Sequence, residues 1–212
     1  WIADHRPRAV FFVDYPGLNL RLAAALRERG LSVKGGGKIE TLYYISPQIW
    51  AWKAGRRFAM ARDLDALAVI FPFEPACYAD TPLPVEFVGH PFLDPGHRAP
   101  VAADPTGPVL LLPGSRRQAV MRIFPQLRAG FLASGRPRAV ALHPGGEMPR
   151  LLASAGPMLG IEVREVPRAE APPVGASAVL MSSGTMSLEC ALAGIPGAIA
   201  YRAHPVTYVL GR

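Results

Sequence analysis

Cysteine is almost absent from this 212-residue chain, and its two examples, Cys77 and Cys190, stand far apart with no ligand cluster beside them. They support neither a disulfide framework nor a zinc knuckle, and read as buried thiols of a reducing compartment. No run of about 18 consecutive apolar residues exists. The longest charge-free stretch, 171–188, is broken by Pro, Gly and Ser, so a membrane-spanning helix is not expected. Lysine is scarce too, at three residues against twenty Arg. A P-loop lysine motif, a Gly-x-Ser-x-Gly elbow and a metal-spaced His pair are all missing. The chain opens at Trp1, without a basic n-region or cleavage site, just before a strand pattern. The expectation is an internal fragment without a signal peptide.

What is present supports a globular core. Half of the residues are hydrophobic and 18% are charged, which excludes a disordered polyelectrolyte. Gly (21) and Pro (23) lack collagen periodicity and read as turn punctuation. Basic residues outnumber acidic ones, 23 to 16, for a net charge of +7. Arg suits two-pronged phosphate recognition better than Lys, and a positive field favours anionic lipid surfaces or nucleic acid. The Arg residues are scattered, however, and aromatics do not interleave with them as along a nucleic-acid groove. Composition leaves a solvated basic surface and a nucleic-acid site equally open.

Apolar runs of strand length alternate with amphipathic stretches. AVFFVD (9–14) reads as a buried strand, followed by a helix over 18–29 with Leu18, Leu22, Ala25 and Leu26 at helical spacing. LYYIS (42–46), a basic stretch over 55–62, ALAVI (66–70), a short helix over 74–79 and VEFV (85–88) follow. A Pro-rich segment then interrupts the rhythm, with Pro91, Pro95, Pro100, Pro105 and Pro108 close together. Strand patterns resume at 109–112, 139–142, 161–166, 179–181 and 198–201, with helices over 117–133, 149–155 and 186–193. Such alternation predicts parallel α/β sheets. The predicted layout is a Rossmann-like domain over 1–95, a linker over 96–108 and a second Rossmann-like domain over 109–212.

Four stretches could carry chemistry. In LLLPGSR, Gly114, Ser115 and Arg116 stand between a strand and a helix, where N–H groups and the helix dipole favour a diphosphate. Arg116 would add a charge-assisted contact; the plain alternative is an ordinary turn with Ser115 as the helix cap. In MSSGTMSLE, Ser183, Gly184 and Thr185 repeat the arrangement, and Glu189 lies four residues after Thr185, on one helical face with it. A carboxylate there is placed to meet a ribose diol, or is simply exposed on a capped helix. In VDYPGLN, Asp14 ends a strand at the ligand edge of an open sheet. There it could accept a proton from a hydroxyl nucleophile, or cap the next helix. The Trp-rich loop SPQIWAWK (46–53) is a sugar or acyl platform, or packing. Asp63-Leu64-Asp65 precedes a strand and makes a poor metal pair; His90 sits at the hinge and reads as structural, and His143 could touch a ligand or be a plain loop residue.

Taken in order, VDYPGLNLRLA, YYISPQIWAWK, IFPFE, FVGHPFLD, LLPGSRRQ and SSGTMSLECALAGIPGAIAYR resemble the lipid-A-disaccharide synthase family, inverting glycosyltransferases of the two-Rossmann GT-B type. YYISP-x-x-WAW followed by FPFE and GHP is the specific part; SGT-x-x-LE is shared with other nucleotide-sugar enzymes. The resemblance implies two Rossmann-like halves, both incomplete. It implies transfer of 2,3-diacylglucosamine from UDP-2,3-diacylglucosamine to 2,3-diacylglucosamine 1-phosphate, giving a β(1→6) disaccharide 1-phosphate and UDP. Asp14 is then the candidate general base and Arg116 the residue beside the donor diphosphate. Asn19, Gly114, Ser115, Ser183, Gly184, Thr185 and Glu189 become substrate-binding candidates. No metal and no cofactor are implied, since Arg and helix N-termini can stabilise departing UDP. Nor is a nucleic-acid partner; the family implies a cytoplasmic protein, peripheral on the anionic face of an inner membrane.

The chain departs from the family at Gly17, where many members carry a second acid, and at Ser177, where an Asp is common. The family's opening strand and closing helices are not found, so this stretch is expected to be inactive alone. The rival readings are another UDP-sugar enzyme of this fold, such as a UDP-N-acetylglucosamine epimerase or a peptidoglycan-type transferase, and a basic module that binds lipid or nucleic acid. A steep loss of binding with salt would mark nucleic acid.

Overall fold

The computed structural model describes residues 1–168 and 170–201; Arg202, the last residue of the SSGTMSLECALAGIPGAIAYR segment, lies outside them. The chain divides into two compact units, Trp1–His97 and Arg98–Arg212.

In the first unit a four-residue helix α1 (Ile2–His5) precedes β1 (Ala9–Val13), α2 (Pro16–Glu28), β2 (Glu40–Tyr44), α3 (Arg56–Asp63), β3 (Ala66–Val69) and β4 (Val85–Phe87). The strands form one parallel sheet in the order β1-β2-β3-β4. Pro16 opens α2, where its fixed φ and missing N–H do no harm. Phe12, Tyr43, Leu67 and Val69 point to one face of the sheet and pack with Ala23 and Leu26 of α2 and Met60 of α3. On the other face Phe11 and Val13 remain exposed. The residues expected as a short helix after β3 form a 3₁₀ turn, Glu74–Tyr78.

The second unit holds β5 (Val101–Ala103), β6 (Val109–Leu112), α4 (Arg117–Ala133), β7 (Ala139–His143), α5 (Met148–Ser154), β8 (Ile161–Glu165), β9 (Val174–Ala176), β10 (Ala178–Ser182), α6 (Thr185–Leu192) and β11 (Gly197–Ala200). Its main sheet is parallel, in the order β11-β10-β6-β7-β8. Every residue of β6 and β7 is buried, as expected for central strands covered on both faces. One face packs on α4, through Val120, Ile123, Phe124, Leu127 and Phe131, and on α5. The other packs on Cys190 of α6 and on the small pair β5–β9, through Val101, Val174 and Ala176.

Both units are therefore Rossmann-like α/β layers, as the sequence rhythm predicts. Inside the stretch expected as a linker, 96–108, the residues Val101–Ala103 are a strand, paired with Val174–Ala176. The cause is non-local: buried Val101 joins the second core, whose partners lie some seventy residues further along.

Candidate functional site

The order β11-β10-β6-β7-β8 reverses between β10 and β6. From β6 the chain moves one way to β7, and from β10 it moves the other way to β11. Ligands of open α/β sheets bind outside the carboxyl ends of the strands at such a switch point. Those two ends are adjacent, with Leu112 of β6 opposite Met181 of β10. They are the two turns singled out in the sequence, and Gly114, Ser115, Arg116, Ser183, Gly184 and Thr185 line one cavity of about 690 Å³. That volume suits a small molecule.

The local chemistry suits an anion. Arg116 occupies the N-cap of α4 and Gly184 that of α6, and neither helix has a side-chain cap. Ser115 therefore precedes the cap and is exposed, in contrast to its reading as the helix cap. The first N–H groups of a helix have no intrahelical acceptor, and the helix dipole adds positive potential there. Here two such ends open onto one cavity, joined by the side chains of Arg116, Arg117 and Arg122. Arg117 is held by Glu147 at 3.2 Å, an exposed pair of small strength. The close approach of the turns depends on Gly114, whose φ is +96° and where a Cβ would stand 3.1 Å from Ser182 Oγ.

Glu189 lies one turn into α6, buried and outside the lining of this cavity. Beside it, burial first and the Glu189 charge second push the Cys190 thiol up to about 11. His143, read as a loop residue or a ligand contact, ends β7 and lines the cavity at 6% exposure. Its position at the end of a strand beside β6 was the available signal. The Arg117 and Arg122 contributions carried none, since both read as ordinary helix-surface charges.

In the first unit, Asp14 and Tyr15 follow β1 with φ of +45° and +41°. Consecutive non-Gly residues in the left-handed region are strained, and such strain gathers at functional sites. The turn is pinned through the Asp14 carbonyl, which accepts from Tyr43 Oη at 2.6 Å and from Asn19 Nδ2 at 2.7 Å. Asn19 also donates to the Val13 carbonyl, so its amide holds the turn. The Asp14 side chain is exposed and makes no hydrogen bond or ion pair with the described residues. Ile45, after β2, and Lys53, in the Trp-rich loop, are left-handed as well.

An aromatic ladder crosses the loops after β2, β3 and β4. Trp50 meets Phe73 edge-on, Phe73 stacks on Phe71, and Phe71 contacts His90, each pair at 5.5 Å between ring centroids. Lys53 Nζ lies 4.4 Å and Arg56 Cζ 5.2 Å from the Trp52 ring. Glu74 of the FPFE segment is buried under this ladder's turn, where it accepts the Ile70 and Phe71 N–H groups. The Asp63-Leu64-Asp65 pair is occupied structurally: Asp63 by Arg27 and Arg62, Asp65 by Thr41. Among the described residues no group of three or more His, Cys, Asp or Glu is arranged to hold a metal ion. No described helix is long and apolar enough to cross a membrane.

A family model described as lipid-A-disaccharide synthetase matches residues 1–133 and 167–212. The chain belongs to that family. Among curated relatives, the lipid-A-disaccharide synthase of Geobacter sulfurreducens is 37% identical over 238 aligned residues, covering 100% of this chain and 56% of the relative. That of Geobacter metallireducens is also 37% identical, with the same coverage, and that of Coxiella burnetii is 34% identical over 97% of the chain and 56% of the relative. The chain thus spans about half the length of the curated relatives it matches. Among solved structures, a chain of the Glycosylation Associate Protein complex from Streptococcus agalactiae aligns over 94% of this chain and 43% of its own length. Its TM-score is 0.45 and its identity 9%, too remote to bear on the argument.

Proposed function

We propose that the protein takes part in glycosyl transfer of lipid A biosynthesis and that its second unit holds the UDP moiety of the donor. The reaction inferred moves 2,3-diacylglucosamine from UDP-2,3-diacylglucosamine to the 6-hydroxyl of 2,3-diacylglucosamine 1-phosphate. Asp14 takes the hydroxyl proton, the acceptor oxygen bonds to the sugar's anomeric carbon, and the bond from that carbon to the diphosphate breaks with inversion. UDP leaves with the electron pair. Negative charge grows on the diphosphate as this happens, and donors fixed before the reaction stabilise it without reorganising. Arg116 and the α4 and α6 N-termini are such donors; Gly114, Ser115, Ser183, Gly184 and Thr185 shape the cradle. Glu189, buried one turn into α6 beside that cradle, is the candidate partner of the ribose diol. Asn19 serves the acceptor side by holding the Asp14 turn.

The observation that carries this reading is the convergence of two uncapped helix starts and Arg116 on one cavity at the switch point, in a chain of this family. The exposed rings of Trp50, Trp52 and Phe73, with Lys53 and Arg56 beside them, support contact with an acylated acceptor or an anionic lipid surface. A cytoplasmic, membrane-peripheral setting belongs to the same proposal.

The test pairs calorimetric titration with UDP and a transfer assay with labelled donor and acceptor. The transfer assay uses a chimera in which the Geobacter sulfurreducens relative supplies the sequence this chain does not span. Arg116→Ala should lower the rate roughly 10²-fold while weakening UDP binding much less, because its role grows in the transition state. Wild-type kinetics for that variant, or no UDP binding by the folded parent chain, would refute the assignment.

A further inference from the structure

The family model leaves 134–166 unmatched, yet this segment builds one wall of the cavity just described. The wall consists of Leu142, His143, Pro144 and Val166. His143 is its polar member. The residue is 94% withdrawn from solvent, and its backbone is fixed by the β7–β8 ladder, where the Val166 N–H donates to the His143 carbonyl. Nδ1 accepts the Gly145 N–H at 2.9 Å, so a neutral ring carries its proton on Nε2. Gly145, at φ +94°, permits that return of the chain. Nε2 has no hydrogen-bond partner among the described residues, and the ring borders the cavity.

The cavity therefore has two chemically different parts. The β6 and β10 turns offer charge and helix dipoles, which suit phosphates. The β7 wall lies on the side of β6 away from β10, and offers apolar surface with a single neutral N–H donor. A flat, weakly polar ring with a carbonyl acceptor matches that wall; a phosphate does not, since charged donors stand beside it on the neighbouring turns. We infer that His143 is a specificity-determining residue that donates Nε2–H to a carbonyl oxygen of the donor's nucleobase. This rests on the proposal that the cavity holds a nucleoside diphosphate, and makes base selection depend on a segment outside the ranges that the family model matches.

The experiment is calorimetric titration of the 212-residue chain with UDP and, separately, with inorganic pyrophosphate. His143→Leu keeps the bulk and removes the donor; His143→Gln restores an N–H near the Nε2 position. Circular dichroism and the melting temperature establish that each variant is folded. The expected result is a roughly five- to tenfold loss of UDP affinity in His143→Leu, the size of one neutral hydrogen bond. Pyrophosphate affinity should be unchanged, and His143→Gln should recover at least half of the loss on a logarithmic scale. Equal losses for UDP and pyrophosphate, no loss for either, or no recovery with Gln would overturn the role of His143 while leaving the nucleotide site standing. Failure of the folded parent chain to bind UDP would overturn both. If His143→Leu does not fold, His143→Gln against the parent decides: UDP affinity within threefold and unchanged pyrophosphate affinity agree with the inference, and a larger UDP loss contradicts it.

Discussion

The sheet of the first unit runs β1-β2-β3-β4 in chain order, whereas that of the second runs β11-β10-β6-β7-β8 and reverses at its centre. The reversal sends α4 to one face of the second sheet and α6 to the other, so both helices start at adjacent strand ends. The uncapped starts of both helices then open onto one cavity, beside Arg116. In the first unit α2 and α3 share one face. The α2 start offers little to an anion, because Pro16 has no N–H and the Leu18 and Asn19 N–H groups are taken by the Tyr15 carbonyl. Its strand ends present side chains instead: exposed Asp14, the aromatic ladder and the cations beside Trp52. Equal rhythms of strand and helix thus yield one unit with paired uncapped helix starts at its strand ends and one with exposed side chains there.

The sharpest way to break that division is Asp14→Asn. In the chimera, turnover should fall roughly 10²–10⁴-fold, as for loss of a general base, with UDP affinity unchanged. An equal loss of UDP binding would mean that the two roles are not separable in this way. Near-normal turnover would remove Asp14 from the chemistry.

The units should also differ in their response to acid. Burial pushes the Asp63 carboxyl up, but hydrogen bonds and charges from Arg62 and Arg27 outweigh it and hold the group below the ordinary carboxylate range. A folded-state value below the unfolded one, about 3.9, means that stability is complete above that pH. It is lost as pH falls further, through the folded-state value. Asp63→Asn should reduce stability at pH 7 by about 1–3 kcal/mol and flatten the acid limb; Arg62 is half exposed, so solvent screening favours the low end. All three Trp residues, Trp1, Trp50 and Trp52, lie in the first unit, so denaturant titrations followed by Trp fluorescence report on it. A wild-type acid limb in the variant would contradict the assignment.

Glu74 should give a smaller effect of opposite sign. Burial raises its carboxyl above the ordinary range, although the Phe71 and Ile70 N–H groups pull the other way. Its raised value means that its contribution is greatest at low pH and declines as pH rises through the folded-state value. Glu74→Gln keeps an acceptor for both N–H groups and removes the charge. At pH 7 the variant should be equal to or more stable than the parent, by less than about 1 kcal/mol. A clear loss of stability in the same fluorescence titration would show that the charge itself is needed.

Much of this was legible from local pattern. The apolar spacing of 117–133 marks α4 as it stands, and the PGSR and SSGT turns identify the cavity, because a strand, a small-residue turn and a helix are all local signals. The meeting of the two turns was not legible. Whether two turns meet depends on which strands are neighbours, and Leu112 and Met181 are joined only by sheet order. For the same reason the β5–β9 pair inside the Pro-rich stretch could not be foreseen. Asn19 and Glu189 look like ligand contacts in a motif; that Asn19 also pins the Asp14 turn and that Glu189 is buried in α6 comes from packing, which local pattern does not show. His143 shows the reverse, a loop-like residue that the β7 end turns into a cavity wall.

The central claim is that the paired helix starts of the second unit, rather than the side-chain-rich edge of the first, receive the nucleotide diphosphate. Amide proton and nitrogen chemical shifts of the uniformly labelled chain, followed during titration with UDP, test it most directly. The account predicts the largest shifts at the amides of Gly114–Gln118 and Ser183–Met186, with those of Asp14–Asn19 nearly still. Shifts centred on the first unit, or spread over both without maxima at the two turns, would contradict it.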